Sequence, residues 1–85
     1  MIRIAKSVTY GSVVDETMIV NSENGAVLRI DECGSKIWKL IYDGVPKEGI
    51  ISHFVSMFPA QKKEIEEDVN SFFEELMKEG ILEEE

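Results

Sequence analysis

The sequence predicts an α+β domain, winged-helix-like, in which a three-stranded antiparallel sheet precedes a three-helix bundle. Two patterns predict it. Residues 7–30 are rich in β-branched and aromatic side chains and are broken by turn residues. Residues 31–80 instead place apolar side chains at helical spacing, punctuated by Gly44, Pro46, Pro59 and Gly80. A length of 85 residues suits one domain, 1–85, near the lower limit for a self-sufficient apolar core.

Strands are expected at "SVTYGSVV" (7–14), "TMIV" (17–20) and "AVLRI" (26–30). "NSENG" separates the last two and reads as a hairpin turn. A two-residue Asn24-Gly25 loop would set Val20 opposite Arg29 and mix the faces. A three-residue loop, Glu23 to Gly25, sets Val20 opposite Leu28 and Met18 opposite Ile30. The apolar pattern favours the second register, with Met18, Val20, Ala26, Leu28 and Ile30 on the buried face.

The first helix is expected from Glu32 to Tyr42, with Asp31 as N-cap and Gly44 just past its end. Ile37, Trp38, Leu40 and Ile41 form its apolar face, Trp38 as a core anchor. The second follows Pro46, a first-turn residue, with a stripe of Ile50, Ile51, Phe54, Val55 and Phe58, and Pro59 stops it. The third spans Gln61 to Glu79 with Ile65, Val69, Phe72, Phe73 and Leu76 inward. Gly80 ends it, and Ile81 can fold back in a Schellman turn.

Composition excludes several functions. The chain has one Cys and one His, too few for an internal disulfide or a four-ligand zinc site. No apolar run reaches the roughly 20 residues of a membrane span, and "MIRIAK" lacks a signal-peptide core, so a cytoplasmic protein is expected. No phosphate-binding glycine loop, nucleophile elbow or metal-ligand pair occurs, and no cofactor is implied. Cys33 has acidic neighbours and no base nearby, so a small thiol-dependent enzyme is disfavoured. It is expected as a passive, buried or half-buried residue. His53 falls off its helix stripe and reads as a surface residue.

Charge separates the remaining readings. Residues 1–60 carry seven acids and six bases, whereas residues 61–85 carry ten acids and three bases. A winged helix invites DNA binding through its last helix, but this one is acidic, and DNA affinity rests on Lys and Arg displacing counterions. A DNA-binding transcriptional regulator is therefore the alternative reading. The stronger one lies at the sheet edge. If "AVLRI" is outermost, its free N–H and C=O groups can take an extended peptide as an added strand. Leu28, Val69, Phe72 and Phe73 would floor the adjoining groove, with acids at its rim.

Two segments carry a family resemblance: "LRIDECGSKIWKLIYDG" (28–44) and "EEDVNSFFEELMKEGIL" (66–82). They resemble the Leu-Asn…Ile-Trp…Asp-Gly and Asp-Val…Phe-Leu…Leu…Gly-Leu runs of PqqD-like proteins, the small domains also called precursor-peptide recognition elements. The resemblance covers about residues 7–83. Asp31 stands where Asn is usual, Cys33 where a small hydroxyl residue is common, and Pro46 where Thr or Ser caps the second helix. The resemblance implies a non-catalytic peptide chaperone that binds the leader of a ribosomally made precursor between the third strand and third helix. It implies presentation to a modifying enzyme, a radical SAM protein or a lasso-peptide leader peptidase and cyclase. By position, the peptide-binding residues would be Ala26, Val27, Leu28, Arg29 and Ile30 with Ile65, Asp68, Val69, Phe72, Phe73 and Leu76.

Overall fold

The computed structural model of the protein describes residues 2–84. The chain runs β1 (Ile2–Ile4), β2 (Val8–Val13), β3 (Glu16–Asn21), β4 (Ala26–Ile30), α1 (Glu32–Tyr42), α2 (Lys47–Met57), a 3₁₀ turn (Pro59–Gln61), α3 (Lys62–Lys78) and β5 (Leu82–Glu84). The expected three strands and three helices are present as an antiparallel sheet in the order β2-β3-β4, followed by α1, α2 and α3. Two further strands form a separate sheet, β1 antiparallel to β5, with Ile4 opposite Leu82. Each is three residues long, too short to show a period in the sequence.

The helix boundaries follow local chemistry. Asp31 accepts the Gly34 N–H at 2.9 Å and caps α1. Pro46 stands at the cap of α2, one residue ahead of the first turn where it was expected. Phe58, placed in the α2 stripe by its spacing, lies past the helix end and is 52% exposed. Gly80, at φ +74°, donates to Met77 O, and Ile81 N–H reaches back to Leu76 O at 2.9 Å. This is the expected Schellman turn, and it buries Ile81 completely.

The β3–β4 register differs from the expected one. Thr17, Ile19 and Asn21 oppose Ile30, Leu28 and Ala26, across a four-residue loop from Ser22 to Gly25. Gly25 takes the left-handed conformation (φ +74°), and its N–H bonds Asn21 O. The inner face of β3 is therefore Thr17, Ile19 and Asn21, all buried, while Met18 is 41% exposed and Val20 is only half-buried. Hydrophobic patterning misplaced the strand because two of its inward side chains are polar and fully bonded. Asn21 Oδ1 accepts from Ser7 Oγ at 2.6 Å and from the Glu23 N–H at 3.0 Å, and its Nδ2 donates to Gly80 O at 3.0 Å. Thr17 Oγ1 donates to Ser35 Oγ at 2.7 Å. A satisfied buried amide costs little, whereas an unsatisfied one would be prohibitive.

Asn24 adds a second tie, donating to Glu79 O at 3.0 Å. Together Asn21 and Asn24 clamp the β3–β4 hairpin to the end of α3. The core beneath joins Ile19, Ile30, Trp38, Ile50, Val69, Phe73, Leu76, Ile81 and Leu82.

Candidate peptide-binding groove

β4 is an edge strand. Which of its groups face outward follows from the ladder, since neighbouring residues of an antiparallel strand point their N–H and C=O to opposite sides. The Ser22 N–H donates to Ser7 O at 3.1 Å, one step beyond the Val8–Asn21 pair, so Ser22 faces β2. Asn21, Ile19 and Thr17 consequently face β4 and bond Ala26, Leu28 and Ile30. Val27 and Arg29 thus turn their N–H and C=O groups to the open side. The Val27 side chain, 61% exposed, lies on the outer face of the sheet. Arg29 shares that face and pairs with Glu16 at 3.3 Å, an exposed ion pair of small energetic consequence.

Beside this edge runs a groove of about 380 Å³, bounded by β4, the first turns of α1 and the middle of α3. Leu28, Ile30, Ile37 and Phe72 line it with apolar surface, and Asp31, Asp68 and Glu75 supply carboxylates. Of the residues expected there, Leu28, Arg29, Ile30, Asp68 and Phe72 meet at the groove, and Ala26 and Val27 continue the same strand. Val69 (1% exposed), Phe73 (5%) and Leu76 (0%) lie behind it in the core, and half-buried Ile65 packs against that core. Side-chain spacing on α3 marks the inward face without separating its rim from its centre.

α1 contributes three groove residues that the sequence reading left out: Cys33, Gly34 and Ile37. The Cys33 thiol is exposed on the groove wall, contrary to the expected buried or half-buried placement. The first turn of α1 follows β4 after a single residue, which brings Cys33 and Gly34 to the groove while Glu32 and Ser35 turn to the cleft beside β2. Gly34 is where β4 and α3 converge. A Cβ there would overlap the Ile30 Cγ2 methyl and come within 3.3 Å of the Phe72 ring. Gly34→Ala is expected to destabilise the fold by about 1–3 kcal/mol by pushing Ile30 and Phe72 apart. Chemical denaturation measures it, and an unchanged midpoint would contradict the close approach.

Among the described residues no cluster of His, Cys, Asp and Glu could hold a metal ion, and no helix is long and apolar enough to cross a membrane. α3 carries exposed Glu64, Glu67, Asp68, Glu74 and Glu75, which outnumber its exposed Lys62, Lys63 and Lys78, so its surface disfavours a phosphate backbone.

The family model of coenzyme PQQ synthesis protein D (PqqD) matches residues 16–82, from β3 to the first residue of β5. The chain belongs to the PqqD family. Among solved structures, "TbiB1 in Complex with the TbiA(beta) Leader Peptide" matches with a TM-score of 0.88 at 24% sequence identity. The match covers 98% of this chain and 96% of that one, so this PqqD-family chain has the TbiB1 fold over nearly its whole length. No curated protein matches the chain.

Proposed function

We propose that the protein is a non-catalytic module that captures the leader segment of a ribosomally synthesised precursor peptide and presents it to a modifying enzyme. The observation that carries this reading is the open β4 edge beside an apolar groove with an acidic rim. An extended peptide can bond the Val27 and Arg29 main chain and lower alternate side chains onto Leu28, Ile37 and Phe72. Asp31, Asp68 and Glu75 favour Lys or Arg on the intervening or flanking peptide positions. Ala26 to Ile30, Asp68 and Phe72 make the contacts, while Ile65, Val69, Phe73 and Leu76 hold α3 against the sheet.

Membership of the PqqD family supports the reading, as does a neighbour of the same fold whose structure holds a leader peptide. The partner enzyme is a radical SAM protein or a leader peptidase with its cyclase, acting in the cytoplasm where precursors are made. The DNA-binding alternative has neither a basic surface on α3 nor support from the family.

Cys33 makes the site testable without mutation. Titration with a leader peptide encoded beside this gene is expected to give a Kd on the order of micromolar or tighter. Amide shifts should concentrate at residues 26–30, Asp68 and Phe72, and saturating peptide should slow alkylation of Cys33. Shifts confined to other surfaces, unaltered alkylation under saturation, or no binding to any neighbouring precursor would overturn the proposal.

A further inference from the structure

The sheet has a second open edge, β2, on the side away from the peptide groove. Because Ser7 faces β3 through its bond with Ser22, the alternation along β2 turns the N–H and C=O groups of Tyr10 and Ser12 to solvent. Residues Thr9 to Val13 are all exposed. Natural edge strands are protected by charges, prolines or bulges. β2, "VTYGSV", has no charge and no proline and pairs with β3 without a bulge. It continues into Val13 and Val14, which are 70% and 92% exposed. Arg29 places a charge on the other edge strand, and among its described residues β2 carries none.

We propose that β2 pairs antiparallel with β2 of a second copy of this chain, about a twofold axis through Gly11, to make a continuous six-stranded sheet. The strand is self-complementary in that register. Tyr10 stands opposite Ser12 of the second copy, and Ser12 opposite its Tyr10, so two reciprocal pairs satisfy the open-side groups of Tyr10 and Ser12 in both strands. Gly11 meets Gly11 as a non-hydrogen-bonded pair, where Cα atoms approach to about 4.5 Å and a missing side chain is an advantage. Thr9 meets Val13 on the outer face. On the inner face, a cleft of about 430 Å³ between β2 and α1 gives the incoming Tyr10 and Ser12 side chains room. Trp38 lines that cleft, and its indole N–H is buried without an acceptor among the described residues; the arriving side chains are hydroxyls.

The placement of charge leaves room for a second copy here. The acids that give the chain its net −8 are concentrated in residues 61–85, most of them on α3. α3 borders the β4 side of the sheet, so two copies joined at β2 keep their acidic helices apart. Both β4 edges stay free at the outer ends, and the dimer stands or falls independently of peptide capture.

Sedimentation of the full chain over a concentration series tests this. The expected result is a monomer–dimer equilibrium, with a 9.6 kDa species giving way to one of twice that mass. Gly11→Lys sets like charges together at the axis, and the site has space for a side chain, with nothing within 4 Å of a Cβ. It should weaken the dimer by at least about tenfold. Ser12→Pro should do the same by removing an open-side N–H. Val27→Pro, at the opposite edge, should leave the dimer intact. A chain that stays monomeric to on the order of 1 mM overturns the proposal and leaves the edge to a strand from another protein. So does a dimer indifferent to both β2 substitutions.

Discussion

Val27→Pro is expected to weaken leader-peptide binding by about 10- to 100-fold while leaving the fold intact. Proline is tolerated on a strand where the lost N–H would face solvent, and the Val27 N–H faces the open side of β4. Its side chain is 61% exposed on the outer face, so the substitution leaves the core undisturbed. In the complex, that N–H would bond the incoming strand, and the proline ring occupies the partner carbonyl's place. The loss of one hydrogen bond with an unsatisfied acceptor left behind is worth about 1–3 kcal/mol, which sets the range. Calorimetric titration, with circular dichroism as the check on folding, measures it. A folded variant that binds as tightly as the parent would rule out strand addition on β4. Leu28→Pro is the contrasting variant: its N–H bonds β3, so it should unfold the sheet.

Asn21→Ala is expected to cost about 3–4 kcal/mol, a large share of the roughly 4–13 kcal/mol that stabilises a chain of this length. The Asn21 side chain is 3% exposed and serves three partners from three parts of the fold: Ser7 before β2, Glu23 in the loop and Gly80 after α3. Alanine leaves the Gly80 carbonyl and the Glu23 N–H without their partner and opens a small cavity. It also releases the hairpin from the end of α3, leaving Asn24 to Glu79 as the remaining side-chain tie at that corner. Equilibrium urea unfolding tests this, and a loss under about 1 kcal/mol would show that the clamp is dispensable. Affinity for the peptide should fall as well, because the clamp sets the spacing between β4 and α3.

Those two residues mark where local pattern stops being informative. The helices were legible because each signal is contained in one short segment: Asp31 caps, Gly44 and Gly80 stop, and Trp38, Val69, Phe73 and Leu76 repeat at helical spacing. The groove was legible in part. β4 could be proposed as the peptide strand from its place in the order, Phe72 from the apolar face of α3, and Asp68 from the family resemblance. Cys33, Gly34 and Ile37 were not, because their role depends on how closely α1 follows β4 around the Asp31 cap.

By itself, then, the sequence determined the order and type of the main elements, the helix ends, the acidic last helix and the family to which the segments at 28–44 and 66–82 point. These are properties of neighbouring residues, carried by spacing, capping and charge. Only the tertiary structure decided the β3–β4 register, the β1–β5 sheet and the groove-facing residues of α1 and α3. A hydrophobic pattern assumes that polar side chains point outward. Asn21 and Thr17 point inward because partners 14, 59 and 18 residues away satisfy them, and no local window contains those partners.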